Sequence, residues 1–185
     1  QEEVQTGESL SELLQIRRNK LNELMESGQN PYEITRFDVD AHAKEIVDGF
    51  DNGFEGRHVS IAGRIMSWRD MGMANFIDLQ DGSGRIQIYV KINEIGEEAF
   101  RQFGKWDLGD IIGVEGEVFR TRRGEISVKA EKLTLLSKSL RPLPEKWYGL
   151  KDTDARYRQR YLDLMVNPDV KKTLITRSKF IKFMR

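Results

Sequence analysis

Apolar residues recur at helical spacing near the start of the chain, at every second position through its middle, and at helical spacing again near its end. Leu10, Leu13, Leu14, Leu21, Leu24 and Met25 fall at intervals of three, four and seven, with Ile16 on the flank. That spacing predicts one helix over residues 9–27. Ser9 or Ser11 suits its start, Gly28 stands where a left-handed cap belongs, and Asn30-Pro31 stops it. A short second helix is predicted around residues 40–48, and Gly49, Asn52, Gly53 and Gly56 make the next stretch a loop.

From Arg57 the period becomes two. HVSIAGRIMSW, ANFIDLQ, RIQIYV, DIIGVEGEVF and EISVKAEKLTLL are strand-like runs rich in Val, Ile, Phe and Leu. Asp81-Gly82-Ser83-Gly84 separates the second run from the third, and Arg122-Arg123-Gly124 the fourth from the fifth, both with turn chemistry. EIGEEAFRQFGKW, between the third and fourth runs, fits a helix ending near Gly104. The chain is thus mainly β with flanking helices, and its middle reads as three strands, one helix, two strands. That is the order of an OB-fold, a five-stranded Greek-key barrel whose middle strands form a platform for nucleic acid or saccharide. An SH3-like barrel is the alternative, but it has no helix at that point.

After Leu136 the texture changes. SKSLRPLPEKWYGL reads as an extended linker packed on something, and DTDARYRQRYLDLM as helical, with Arg156, Arg158 and Arg160 alternating with Tyr157 and Tyr161. Asn167-Pro168 breaks it. A fresh helix with Val170, Leu174, Ile175, Phe180, Ile181 and Met184 then runs to Arg185 without a cap, as though the chain were cut inside a larger domain. The expected organisation is a helical extension over 1–56, the barrel over 57–137, a linker over 138–168 and the start of a further domain over 169–185.

Charge sharpens this picture. The chain has 185 residues with 30 Lys+Arg and 30 Asp+Glu, but the neutral total hides a gradient. Residues 1–56 carry 5 basic and 13 acidic side chains, residues 57–137 carry 12 of each, and residues 138–185 carry 13 basic and 5 acidic. Such asymmetry marks either an end that faces a polyanion or two ends that pair with each other or with a partner subunit. Cys is absent, which excludes a disulfide scaffold, a thiolate zinc site and a thiol nucleophile. His42 and His58 are the only histidines and lack ligand spacing, so no metal site is expected. No P-loop, GxGxxG or GxSxG occurs, and no catalytic residue is assigned. No apolar run approaches the ~20 residues of a membrane span, and the polar start lacks a signal-peptide core. A soluble, cytoplasmic protein is expected.

Candidate chemistry follows from strand alternation. Ile86, Ile88 and Val90 share one face of the third strand and Ile77 and Leu79 one face of the second, which must be the core. Phe76, beside Ala74 and Asp78, and Gln87, between Arg85 and Tyr89, then face outward. The pair suits a stacking ring with an amide that hydrogen-bonds a base edge. It suits equally a ring covered by the N-terminal helix or by a dimer mate. Two loops flank this face: Trp68-Arg69-Asp70-Met71-Gly72 and Arg120-Thr121-Arg122-Arg123-Gly124, the latter with arginines suited to phosphate. Arg64 adds a further cation, and Glu125 a carboxylate that accepts from a base or pairs with a nearby Arg. Asp78 and Asp81 read as structural rather than as an acid pair.

GRIMSWRDMGMANFIDLQDGSGRIQIYV, KWDLGDIIGVEGEVFRTRRGEISVKAEKLTLLSKSLRPLPEKWYGL and ARYRQRYLDLM together resemble the N-terminal half of the bacterial-type class II lysyl-tRNA synthetases. The LRPLP and RYRQRYLDL strings set that family apart from the aspartyl and asparaginyl enzymes, which share the barrel. The resemblance implies that residues 57–137 bind the uridine-rich anticodon of lysine tRNA. It implies that Phe76 stacks on the central uridine, that Gln87 and Arg69 contact that base, and that Glu125 lies near the first anticodon position. Arg64, Arg120, Arg122 and Arg123 are candidates for the RNA backbone. Trp68 stands where the family has a small or basic residue, which offers the first loop an extra stacking surface. ATP, magnesium, lysine and a homodimer partner are implied for the parent enzyme, whose catalytic site lies outside these residues; residues 169–185 resemble the beginning of its motif 1 helix.

Overall fold

A computed structural model describes residues 6–143, 150 and 152–185. The chain divides into two compact units, Gln1–Pro142 and Leu143–Arg185.

In the first unit, helix α1 spans Thr6–Glu26 and a short helix α2 spans Ala43–Asp48. Strands β1 (His58–Asp70), β2 (Ala74–Gln80) and β3 (Arg85–Lys91) follow. Two short helices, α3 (Ile92–Ile95) and α4 (Glu97–Phe103), lead to β4 (Ile111–Arg120) and β5 (Ile126–Ser137). The strands close into a barrel in the order β1-β2-β3-β5-β4. All neighbours are antiparallel except β3 and β5, which pair in parallel. This is the expected three-strand, helix, two-strand barrel. The single predicted helix after β3 is two, because Gly96 sits at φ 85° between them, a conformation glycine alone adopts freely.

Period-two burial builds the barrel interior. Val59, Ile61, Ile65, Ile77, Leu79, Ile86, Ile88, Val90, Val114, Val118 and Val128 are all buried, and such burial contributes about 1.5–3 kcal/mol per large aliphatic side chain. Strand β1 is long enough to serve two neighbours, pairing with β4 over His58–Arg64 and with β2 from Arg64 to Asp70. Gly63 stands at this switch, where an added Cβ would lie 2.7 Å from the Gln80 carbonyl oxygen. Helix α4 plugs the barrel with Phe103, which is fully buried, and Trp106 meets that ring edge-on at 5.4 Å.

The N-terminal extension is tied to the barrel by polar contacts. Asp81 in the β2–β3 turn accepts from Ser83 N–H, Gly84 N–H and the Ser83 hydroxyl, and also from Ala43 N–H at the start of α2. Burial pushes the Asp81 carboxyl up, but these donors outweigh it and hold its pKa below the usual carboxylate value. From α1, the buried Arg17 donates to the carbonyls of Leu108, Ser139 and Arg141. Lys20 reaches Asp107 at 2.7 Å. The buried Lys138 pairs with Asp107 and, at 2.7 Å, with the fully buried Asp110.

In the second unit, α5 (Thr153–Arg158), α6 (Arg160–Val166) and α7 (Pro168–Met184) follow one another. Asp152 caps α5, accepting from Asp154 N–H and Ala155 N–H. Asp163 is fully buried and gathers Arg156 at 3.0 Å, Arg160 and the Asn167 amide. The arginines of RYRQRYLDL thus serve this unit's own carboxylates, with Arg158 on Asp154 at 2.6 Å. Most of the expected linker between Pro142 and Asp152 lies outside the described residues.

Candidate nucleic-acid interface

Outward-facing side chains of the five strands form two cross-strand rows. The first runs Ser67, Asp78, Gln87, Ser127, Phe119, and the second Arg69, Phe76, Tyr89, Lys129, Glu117. Directly opposed side chains in neighbouring strands are close enough to interact.

The second row is aromatic at its centre. Phe76 lies 4.9 Å from Tyr89, tilted by 34°, and Tyr89 lies 6.0 Å from Phe119 in the neighbouring row. All three rings are half-buried on the outer face. Each is braced by its neighbour while keeping area free, which holds a stacking surface still at low entropic cost. At the end of the row, Lys129 donates to Glu117 at 2.8 Å, and that bond raises the lysine pKa above its ordinary value.

The first row is a chain of hydrogen bonds. Ser67 donates its hydroxyl to Asp78, and Asp78 also receives Arg69 at 3.4 Å. Ser127, fully buried beneath its neighbours, donates to Gln87 Oε1 at 3.0 Å. The Gln87 acceptor is thereby occupied, while its amino group makes no hydrogen bond among the described residues.

Of the sequence-predicted residues, Arg69, Phe76 and Gln87 come together on this face, and Glu125 lies two positions before Ser127, at the entry to β5. Arg122, Arg123 and Glu125 are exposed at the β4–β5 hairpin, and among the described residues no ion pair engages them. Two other arginines are otherwise committed. Arg120 pairs with Asp51 at 2.8 Å and lies 4.6 Å over the Phe50 ring, fastening the N-terminal extension. Arg64 donates to the Gly109 carbonyl at 2.6 Å. Its burial draws the guanidinium pKa below the ordinary arginine value, against the opposing pull of Asp110.

Trp68 departs from expectation. A β-bulge between Ile65 and Ser67 inserts one residue into β1, so alternation restarts and Trp68 turns toward the core while Ser67 and Arg69 turn outward. The indole stacks on Phe103 at 4.2 Å and donates to the buried Asn75 at 2.9 Å. It therefore adds no stacking surface to the first loop, whose residues Trp68 to Asp70 still belong to β1. Asp78 faces outward beside Phe76 as expected, but sequence reasoning missed Ser127 and Phe119 as parts of the face; their signal is the cross-strand register, which closure of the barrel creates.

Residues 59–136 match the family described as OB-fold nucleic acid binding domain, a span that covers nearly the whole barrel. The barrel is an OB-fold tRNA anticodon-binding domain. The chain is 56% identical over 178 residues to the lysine–tRNA ligase of Pelotomaculum thermopropionicum, covering 96% of this chain and 35% of that protein. It is 53% identical to the lysine–tRNA ligase of Thermoanaerobacter pseudethanolicus and 51% identical to that of Moorella thermoacetica, again over 96% of this chain and 36% of each relative. The chain spans about a third of the length of the curated relatives it matches, at 35–36%. Among the described residues no group of three or more His, Asp or Glu side chains could hold a metal ion, and no helix is long and apolar enough to cross a membrane. On this face the anticodon-binding domain offers rings, an amide and arginines.

Proposed function

We propose that the outer face of the barrel reads the anticodon loop of lysine tRNA. The observation that carries this reading is the half-open Phe76 ring beside an amide whose amino group is unused. Phe76 stacks on the central uridine, Gln87 and Arg69 hydrogen-bond that base, and Glu125 lies near the first anticodon base. Arg122 and Arg123, which no ion pair engages among the described residues, contact the phosphates; Arg120 and Arg64, whose guanidiniums serve protein partners, contribute less. Base contacts specify and phosphate contacts position.

The whole ligase attaches lysine to its tRNA with ATP and Mg2+, acts as a homodimer and works in the cytoplasm. In it, residues 138–168 link the barrel to a catalytic domain that residues 169–185 begin. ATP and Mg2+ supply the activation of lysine, and the residues described here do not fit a metal site, so they have no assigned step in that chemistry. Their part is to hold the anticodon so that the acceptor end reaches a distant site.

Titration of the protein with a UUU-containing RNA stem-loop at fixed salt tests the reading. Phe76→Ala weakens binding by roughly 1–3 kcal/mol, the usual worth of a stacked base. Unchanged affinity, or no binding by the parent chain, removes the stacking role. Equal affinity for UUU and CCC loops instead indicates a sequence-tolerant single-strand binder.

A further inference from the structure

We infer that Ser127 is a positioning residue that makes Gln87 selective for uracil over cytosine. This deepens the reading of the outer face as an anticodon site and rests on it. A glutamine amide is ambivalent, since one end accepts and the other donates, and a half-turn about its last bond exchanges them. Left free beside an unpaired pyrimidine, it offers its amino group to the uracil O4 acceptor or its oxygen to the cytosine N4 donor. Such a residue cannot tell the two bases apart at that edge.

Ser127 removes the ambivalence. Its side chain is 0% exposed and its hydroxyl lies 3.0 Å from Gln87 Oε1. Among the described residues, the only other acceptor hydrogen-bonded to that hydroxyl is the Glu125 carbonyl oxygen, at 3.5 Å. With the amide oxygen toward Ser127, the hydroxyl donates across the shorter contact. With the amide reversed, the hydroxyl must accept from the amino group and send its proton to the longer contact, where a hydrogen bond is weak. Burial makes that loss costly, because no solvent replaces the poorer bond. The amide is thus held with its oxygen toward the protein and its amino group toward the ligand, able to donate to uracil O4 and unable to accept from cytosine N4. A site built around a fixed donor rejects a ligand that presents another donor, since both are left unpaired.

The test compares stem-loops of sequence UUU and UCU bound to the full chain and to its Ser127→Ala, Gln87→Ala and doubly substituted variants, with melting temperatures alongside. Ser127→Ala is expected to reduce the preference for UUU over UCU by about fivefold to tenfold, on the scale of one base-edge contact, chiefly by improving UCU binding. It should add nothing in the Gln87→Ala background, because the serine acts through the glutamine. An unchanged preference in Ser127→Ala, with a lost one in Gln87→Ala, overturns the inference and leaves the anticodon reading intact. An unchanged preference in Gln87→Ala overturns both. Equal weakening of the two loops with a lowered melting temperature reduces Ser127 to a structural role and also overturns the inference.

Discussion

Two polar regions of the barrel unit use the same residue types to opposite ends. Around Lys138, each charge meets a protein partner: Lys138 and Asp110 are fully buried at 2.7 Å, Asp107 takes Lys138 and Lys20, and Arg17 spends its donors on backbone carbonyls. On the outer face, the bonds stop short of completion. Ser127 satisfies one end of Gln87 and leaves the other, Asp78 tethers Arg69 through a single 3.4 Å contact, and Phe76 is braced on one side. Both regions contain aspartate and arginine, so those types alone do not distinguish them. The difference lies in unused bonding capacity, which is what a ligand can take up.

The largest effect should come from breaking the closed region. Lys138→Met strands Asp110 and part of Asp107 without a cation, and loss of one buried partner costs about 3–5 kcal/mol. Denaturant unfolding should show that drop, while protein still folded keeps its preference among stem-loops; an unmoved midpoint contradicts the buried-pair account. Next comes Phe76→Ala, which breaks the open region with the reverse signature: binding falls as stated above, and stability changes by less than about 1 kcal/mol because the ring is only half-buried.

Acid separates the regions more gently. Burial raises the Asp107 carboxyl, but Lys138 and Lys20 outweigh it, so its folded pKa lies below the ordinary value, and Asp81 behaves likewise through its N–H and hydroxyl donors. A depressed carboxylate contributes stability above its unfolded pKa of about 3.9, and loses that contribution as pH falls through the folded value. Unfolding midpoints should therefore owe no change to these groups between neutrality and about pH 5, and fall below about pH 4. Lys20→Met should shallow that acid limb, and an unaltered limb would count against the Asp107 assignment. The smallest effect is at the hairpin. Arg122→Ala or Arg123→Ala should each reduce the slope of log affinity against log salt by about 0.7, the value for one single-strand phosphate, without altering base preference.

The strands were legible because alternation is local. Ile77 and Leu79, Ile86, Ile88 and Val90 point inward as their spacing requires, and that alone put Phe76 and Gln87 on the outer face. Trp68 was misread because a bulge at one residue of β1 reverses every later side chain, and nothing in the composition of SIAGRIMSWRD announces an insertion. Arg64 and Arg120 were indistinguishable from Arg122 and Arg123 by type; only Gly109 and Asp51, distant along the chain, separate the committed from the free. Ser127 was silent for the same reason. Its partner lies on β3, and the two strands meet across two intervening helices and strand β4.

That parallel meeting of β3 and β5 orders events during synthesis. Phe76 and Gln87 precede Ser127 by 51 and 40 residues, so a chain still lacking β5 carries both without the hydroxyl that bonds the amide. On the proposed reading, discrimination between uracil and cytosine waits for the docking of the last strand.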